Sequence, residues 1–110
     1  MRERYQLVGA IGAGQHFCQD LAIGLELGYG GLQKKIDHYR TVNTSPEQQA
    51  FYEGLTQTLL GMQAWIGAGA EHAAERAFSE PHQALRENLE QIAQINERLV
   101  TQAPMTLREA

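Results

Sequence analysis

Ser45-Pro46-Glu47-Gln48 is the stretch that decides the fold, because it carries the clearest helix-start signal in the sequence. Ser45 can accept a hydrogen bond from the first helical turn, Pro46 suits the first helical position, and Gln48 can close a capping box. Apolar residues then recur every three or four positions, as in a helix: Phe51, Leu55, Leu59, Met62 and Ile66. The sequence therefore predicts a long helix that begins here.

The predicted helix has a wide apolar face in its first half and small residues in its second half. Tyr52, Leu60 and Trp65 widen the apolar face beyond a single stripe, which predicts packing on two sides. Glycines and alanines follow at 67–70 and 73–74, where they allow a neighbouring backbone to approach closely. Each glycine lowers helix propensity by roughly 1 kcal/mol. We expect the helix to continue to about Phe78.

A break and a further helix follow. Ser79-Glu80-Pro81 ends the long helix and starts the last one. This last helix has a single apolar stripe, with charged and amide side chains on its other faces: Leu85, Leu89, Ile92, Ile95 and Leu99. Because the connection is short, we expect the two helices to pack antiparallel.

The region before Ser45 predicts two shorter helical stretches and a short extended segment. Asp20 can cap a helix that ends at Leu27, and the glycines at 28–31 predict a bend before the next helix. Residues 5–14 begin with strand-like residues and then fill with glycine, which predicts an extended segment running into a loop. The predicted fold is mainly α, an antiparallel helical bundle or hairpin, with residues 1–110 forming one unit.

Composition excludes several classes of protein. The net charge is −4 and Lys34-Lys35 is the only adjacent basic pair, so there is no concentrated basic face for nucleic acid. No apolar run is long enough to span a bilayer, and residues 1–4 lack the apolar core of a signal peptide. A single cysteine cannot form an internal disulfide. We expect a cytoplasmic chain without a nucleic-acid or membrane partner.

The residue types that most often carry chemistry do not form a known motif. The glycines at 9, 12 and 14 match neither a Walker pattern nor a dinucleotide fingerprint, so we predict a plain connector and no cofactor site. The four histidines are dispersed, and we predict no metal site. Cys18 has no basic neighbour in sequence to lower its pKa, which favours a structural thiol over a nucleophile.

His16 stands out because it lies where the extended segment ends and a helix begins, with Asp20 four residues later. Binding groups collect on loops held by rigid elements. From the residues alone, a local capping or core role is favoured, because polar residues at such junctions are usually satisfied locally.

A second capping pattern stands near residue 110. In Thr106-Leu107-Arg108-Glu109, a hydroxyl residue precedes a glutamate by three positions, the spacing of a capping box. Such a box serves the free N–H groups of a helix that follows it. We therefore expect this chain to be one part of a larger polypeptide.

Several segments stand in an order that is typical of one enzyme superfamily. They are Gly14-Gln15-His16-Phe17-Cys18-Gln19-Asp20, Gly24-Leu25-Glu26-Leu27-Gly28-Tyr29-Gly30-Gly31-Leu32, Phe51-Tyr52-Glu53-Gly54, and Leu89-Glu90-Gln91-Ile92-Ala93 with Pro104-Met105-Thr106-Leu107-Arg108-Glu109-Ala110. This order resembles the glycyl radical enzymes of the pyruvate formate-lyase-like superfamily. The similarity covers nearly the whole chain.

The resemblance implies a particular place in such an enzyme. In that superfamily a glycine near the C-terminus stores a radical, a mid-chain cysteine becomes the thiyl, and an iron–sulfur activating enzyme using S-adenosylmethionine installs the radical. The resemblance places this chain upstream of both residues, in the helical region that supports an α/β barrel. It implies no catalytic residue and no cofactor in this chain, and it does not make Cys18 the thiyl cysteine. The implied partners are the remainder of the barrel and the activating enzyme.

The match is not complete at the candidate site. Gln15 stands between Gly14 and His16, where the family has Gly-His directly, and Leu21 replaces a tyrosine after Asp20. By residue match, His16 and Asp20 are candidates to border the substrate cavity of the intact enzyme. The substrate and the bond that is cleaved are not specified by these residues.

Two functional hypotheses follow. The first is a helical scaffold portion of a glycyl radical lyase, which cleaves a C–C, C–O, C–N or C–S bond in a small molecule; this portion is not catalytic on its own. The alternative is a self-standing helical interaction module without enzymatic activity, associating through the apolar faces around Leu59, Trp65, Leu89 and Ile95. Both predict self-association, because both leave apolar surface uncovered.

Overall fold

The computed structural model describes residues 20–110, which form three helices. We label them α1 (Leu21–Val42), α2 (Pro46–Ser79) and α3 (Gln83–Leu99). No strand occurs within residues 20–110. The prediction of a mainly helical fold is confirmed for this range, and the predicted extended segment at 5–14 lies outside it.

Asp20 caps α1, as predicted, and the helix is kinked at Gly28. The Asp20 carboxylate accepts the Ile23 backbone N–H at 3.2 Å and so caps the helix. Gly28 has φ +60° and ψ 180°, a backbone conformation that residues with a Cβ rarely adopt. The sequence predicted one helix ending here and another beginning after a bend; the structure joins the two at this kink.

The kink in α1 lies directly against the chain that follows α3. The Gly30 backbone N–H donates to the Thr101 carbonyl oxygen at 2.7 Å. A Cβ added to Gly28 would overlap the backbone of Gln102 and Ala103, and one added to Gly30 would lie 2.7 Å from the Thr101 oxygen. The two glycines are therefore what allows the backbones to meet.

Side-chain hydrogen bonds fix the turn between α1 and α2. The predicted capping box is confirmed: the Gln48 N–H donates to Ser45 Oγ at 3.3 Å, and the Ser45 N–H donates to Gln48 Oε1 at 3.2 Å. Gln49 Nε2 donates to the carbonyl oxygens of Arg40 at 2.8 Å and Asn43 at 2.7 Å. These bonds satisfy carbonyl groups that a helix end leaves without a partner.

α2 is 34 residues long, or roughly 50 Å, and ends one residue beyond the predicted Phe78. Its second half packs against α3 through small residues, as the sequence indicated: Ala70, Ala73 and Ala77 are buried. Gly69 lies near Asn96, and Gln63 Nε2 donates to the Val100 carbonyl oxygen at 2.8 Å. The small side chains bring the two helices close together.

α3 begins at Gln83, slightly later than the sequence indicated. Ser79 still belongs to α2, and the Glu80 carboxylate accepts the His82 N–H at 3.0 Å in the turn around Pro81. The predicted stripe is only partly covered. Leu89, Ile92, Ile95 and Leu99 are half-buried, and Leu85 is exposed.

Few of the described residues are buried. Within residues 20–110, Leu59 is the only large apolar side chain that is buried. Trp65 is 77% exposed and Phe78 is 94% exposed. The radius of gyration is 18.0 Å, compared with about 13 Å for a compact domain of this size. The helices thus cover little of their own apolar surface.

Candidate functional site

A groove of about 700 Å³ opens between the start of α1, the middle of α2 and the end of α3. Much of its wall is apolar and includes Leu32, Leu59, Met62, Ile66 and Leu99. Polar side chains also line it: Asp20, Tyr29, Asn96, Gln102 and Glu109. The groove is an apolar surface with a few polar groups beside it.

A second groove of about 340 Å³ lies between α1 and α2. It shares four apolar residues with the first groove, namely Ile23, Leu32, Leu59 and Met62. Lys35 and Tyr39 lie on its wall. Because the walls are shared, the two grooves adjoin and present one apolar surface along α1.

Asp20 is the predicted site residue that the described part of the chain brings to the groove. Its carboxylate is exposed and caps α1 through Ile23, so the capping role is observed directly. His16, the other candidate, lies outside the described residues. Asp20 therefore has a structural role and a position beside the groove at once.

The other carboxylate at the groove belongs to Glu109. Its Oε2 accepts the backbone N–H groups of Met105 at 2.5 Å and Thr106 at 3.0 Å. The same oxygen lies 2.5 Å from Arg98 Nη2, so the two side chains form an ion pair. The Met105 N–H and then the Arg98 guanidinium lower the pKa of Glu109, against a smaller opposing effect of burial.

The sequence predicted part of this arrangement but not all of it. The pattern at 106–109 indicated that the glutamate would reach back to the Thr106 N–H, and it does. The pattern contained no signal for the ion pair with Arg98, because a loop separates the two residues. Arg98 Nη1 also donates to the Ala103 carbonyl oxygen at 3.1 Å, which holds that loop against α3.

The described residues include no cluster of side chains that could bind a metal ion. Within 20–110, no group of three or more His, Cys, Asp or Glu side chains could hold a metal ion. Cys18, the only cysteine of the sequence, lies outside this range. Residues 20–110 contain no cysteine, and all of their glycines lie within α1 or α2. No helix in the same range has the length and apolarity needed to cross a bilayer.

Comparison with known protein families identifies the chain. A family model described as pyruvate formate lyase-like matches residues 5–110, which include all the described residues. No curated protein and no solved structure matches the chain significantly. The predicted resemblance to glycyl radical enzymes is confirmed by this match, and the chain belongs to the pyruvate formate lyase-like family.

Proposed function

We propose that this chain is a helical scaffold portion of a glycyl radical lyase and is not catalytic on its own. Residues 1–110 would form one helical unit, with α2 and α3 as an antiparallel hairpin set against the α/β barrel of the enzyme. The reaction class, radical cleavage of a C–C, C–O, C–N or C–S bond in a small molecule, is inherited from the superfamily. The enzyme would be cytoplasmic.

The observation that carries the proposal is the exposed apolar surface of α2. Phe51, Met62 and Trp65 recur at helical spacing, which puts them on one face, and all three are exposed. Monomeric soluble proteins rarely expose contiguous apolar patches larger than a few hundred Å². Together with the family match over residues 5–110, this surface supports a helical unit that is covered by the rest of an enzyme.

The proposal assigns the radical chemistry to other parts of that enzyme. A bound activating enzyme would install the glycyl radical, which supplies hydrogen abstraction through a cysteine thiyl. The described residues contain no cysteine and no loop glycine, so they do not fit either role. Their contribution is to pack against the barrel and to hold helix ends in place.

Asp20 and His16 are proposed to border the substrate cavity of the intact enzyme. Asp20 supports this because its exposed carboxylate lies beside the larger groove. In the whole enzyme, Asp20→Asn keeps the helix cap while removing the charge, since asparagine caps helices about as well as aspartate. Loss of turnover with retained folding would support the cavity role for Asp20→Asn or His16→Ala. Full turnover in both variants would contradict it.

The exposed apolar face also favours a second candidate, a self-associating interaction module without enzymatic activity. Family membership favours the scaffold over this candidate. The coding sequence on either side of residues 1–110 separates the two. A barrel with a cysteine and a C-terminal glycine loop, in the same or a neighbouring reading frame, supports the scaffold, and its absence supports the module.

The packing role can then be tested in the complete protein, activated anaerobically with its activating enzyme. Trp65→Glu should sharply reduce the yield of folded enzyme and of the glycyl radical measured by electron paramagnetic resonance, because it places a charge in a covered face. Glu75→Gln, at an exposed position of the same helix, is the control and should leave both unchanged. Normal folding and radical yield with Trp65→Glu would rule out a covered α2 face.

A further inference from the structure

The segment after α3 crosses the kink of α1 and forms one wall of the larger groove. We call residues 101–110 the strap. Gln102, Pro104, Glu109 and Ala110 of the strap line the groove opposite residues of α1 and α2. The position of the strap therefore sets how open the groove is.

Polar contacts hold the strap. The Gly30 N–H donates to Thr101, Arg98 Nη1 donates to Ala103, and Arg108 donates to the Asn88 side chain. The larger apolar side chains of the strap do not add to this, because Met105 is 81% exposed and Leu107 is 96% exposed. Segments with few buried apolar contacts open locally at low free energy. Water can replace most of the hydrogen bonds that the strap would lose on opening.

One contact differs from the others, because it joins three parts of the strap to α3. The Glu109 carboxylate accepts the N–H groups of Met105 and Thr106 and pairs with Arg98, whose guanidinium also holds Ala103. The side chains of Arg98 and Glu109 are both largely covered. Removing the carboxylate would leave two backbone donors and a guanidinium without their partner.

We propose that the strap is a gate on the groove, latched by the Arg98–Glu109 ion pair and released as one unit when that pair is broken. Release moves Gln102, Pro104 and Glu109 out of the groove wall. It uncovers Leu59 and Ile66 on the side of the groove that the strap forms. It also frees the Gly30 N–H. The gate is a conformational device that the scaffold role does not require.

Amide hydrogen exchange, measured in the complete protein, tests this proposal. Glu109→Ala should raise the exchange rates of the Gly30 amide and of the strap amides together, by about tenfold, while α2–α3 amides at 70–77 and 89–96 keep their rates. Glu90→Ala, at an exposed position of α3, is the matched control and should change neither set. Because one latch is involved, Arg98→Ala combined with Glu109→Ala should raise strap exchange little beyond Glu109→Ala alone.

The outcomes are distinct. Unchanged exchange at Gly30 and in the strap, or an equal rise throughout α2 and α3, would overturn the gate. If the Glu109→Ala variant loses its helical circular dichroism signal, the exchange experiment is done with Glu109→Gln instead. This variant keeps an acceptor oxygen and removes the charge. A rise of a few fold in the exchange rates, confined to Gly30 and the strap, then supports the gate. The absence of such a local rise overturns it.

Discussion

The backbone N–H of Gly30 donates to the carbonyl oxygen of Thr101 at 2.7 Å, which ties the kinked helix α1 to the chain beyond α3. This contact depends on glycine, because a Cβ at position 30 would lie as close to the Thr101 oxygen as the hydrogen-bonding nitrogen does. Two glycines in α1, 28 and 30, thus act on distant residues of the sequence, and their substitution has a clear expected effect.

Gly28→Ala should lower the free energy of unfolding by about 2–3 kcal/mol, since alanine is strained at φ +60° and its Cβ would overlap the backbone at 102–103. Urea denaturation followed by circular dichroism measures the change. Gly54→Ala is the control, because a Cβ there has no neighbour within 4 Å, and it should stabilise the chain by up to about 1 kcal/mol. Equal shifts in the two variants would contradict the packing at the kink.

Ala73→Leu should destabilise the chain by about 1–3 kcal/mol, because Ala73 is buried in the small-residue contact between α2 and α3. Thermal unfolding provides the measurement. Ala74→Leu adds the same side chain at the next position, which is exposed, and should change the stability by less than about 0.5 kcal/mol. A tolerated leucine at position 73 would mean that the helices do not pack through that residue.

Ser45→Ala should reduce the free energy of unfolding by about 1 kcal/mol, since it removes the hydroxyl that accepts the Gln48 N–H. Thr44→Ala removes a hydroxyl from the preceding exposed residue and is the matched control, with little expected effect. The difference between the two variants in a chemical denaturation series measures the cap. If both variants lose the same stability, the capping box makes no separate contribution.

The pH dependence of stability should include a contribution from Glu109. The pKa of Glu109 is lowered in the folded chain by the Met105 N–H and by Arg98 of α3. Asp20 is the other carboxylate that lines the same groove. The unfolded chain therefore binds the proton first as the pH falls. The stabilisation by Glu109 is complete above the ordinary glutamate pKa of about 4.3 and is lost as the pH falls through the lower folded value.

Denaturation midpoints of the wild type and Glu109→Gln, measured from neutral pH to about pH 3, check this prediction. The wild type should be more stable at neutral pH, and the difference should shrink on acidification. Glu90→Gln is the control, because Glu90 lies at an exposed position of α3. A stability difference that does not change over this pH range would contradict the assigned contacts of the carboxylate.

What the sequence predicted well depends on partners close along the chain. Ser45 and Gln48 are three positions apart, and so are Asp20 and Ile23, so local spacing was enough to predict both caps. The kink at Gly28 was predicted as a bend because its signal, the glycines at 28–31, is also local in sequence. Small residues at 67–70 and 73–74 indicated close packing, and in this part of α2, which packs against α3, Ala70 and Ala73 are buried.

What could not be predicted involves partners far apart in sequence. Nothing near Gly28 or Gly30 indicates that the backbone at 101–103 will lie against them. Arg98 and Glu109 are separated by a loop whose path no residue pattern specifies. The larger groove arises in the same way, since its wall combines α1, α2, α3 and the strap, and Asp20 lies beside it only in the folded chain.

The contact between Gly30 and Thr101 also has a consequence for the order of folding. The two residues stand near opposite ends of the described chain, and a contact between residues so far apart in sequence carries a loop-closure entropy cost. On the ribosome, α1 leaves the exit tunnel well before the strap does. Among the three described helices α1 is thus synthesised first, and its contact with Thr101 can form only after synthesis has passed Thr101.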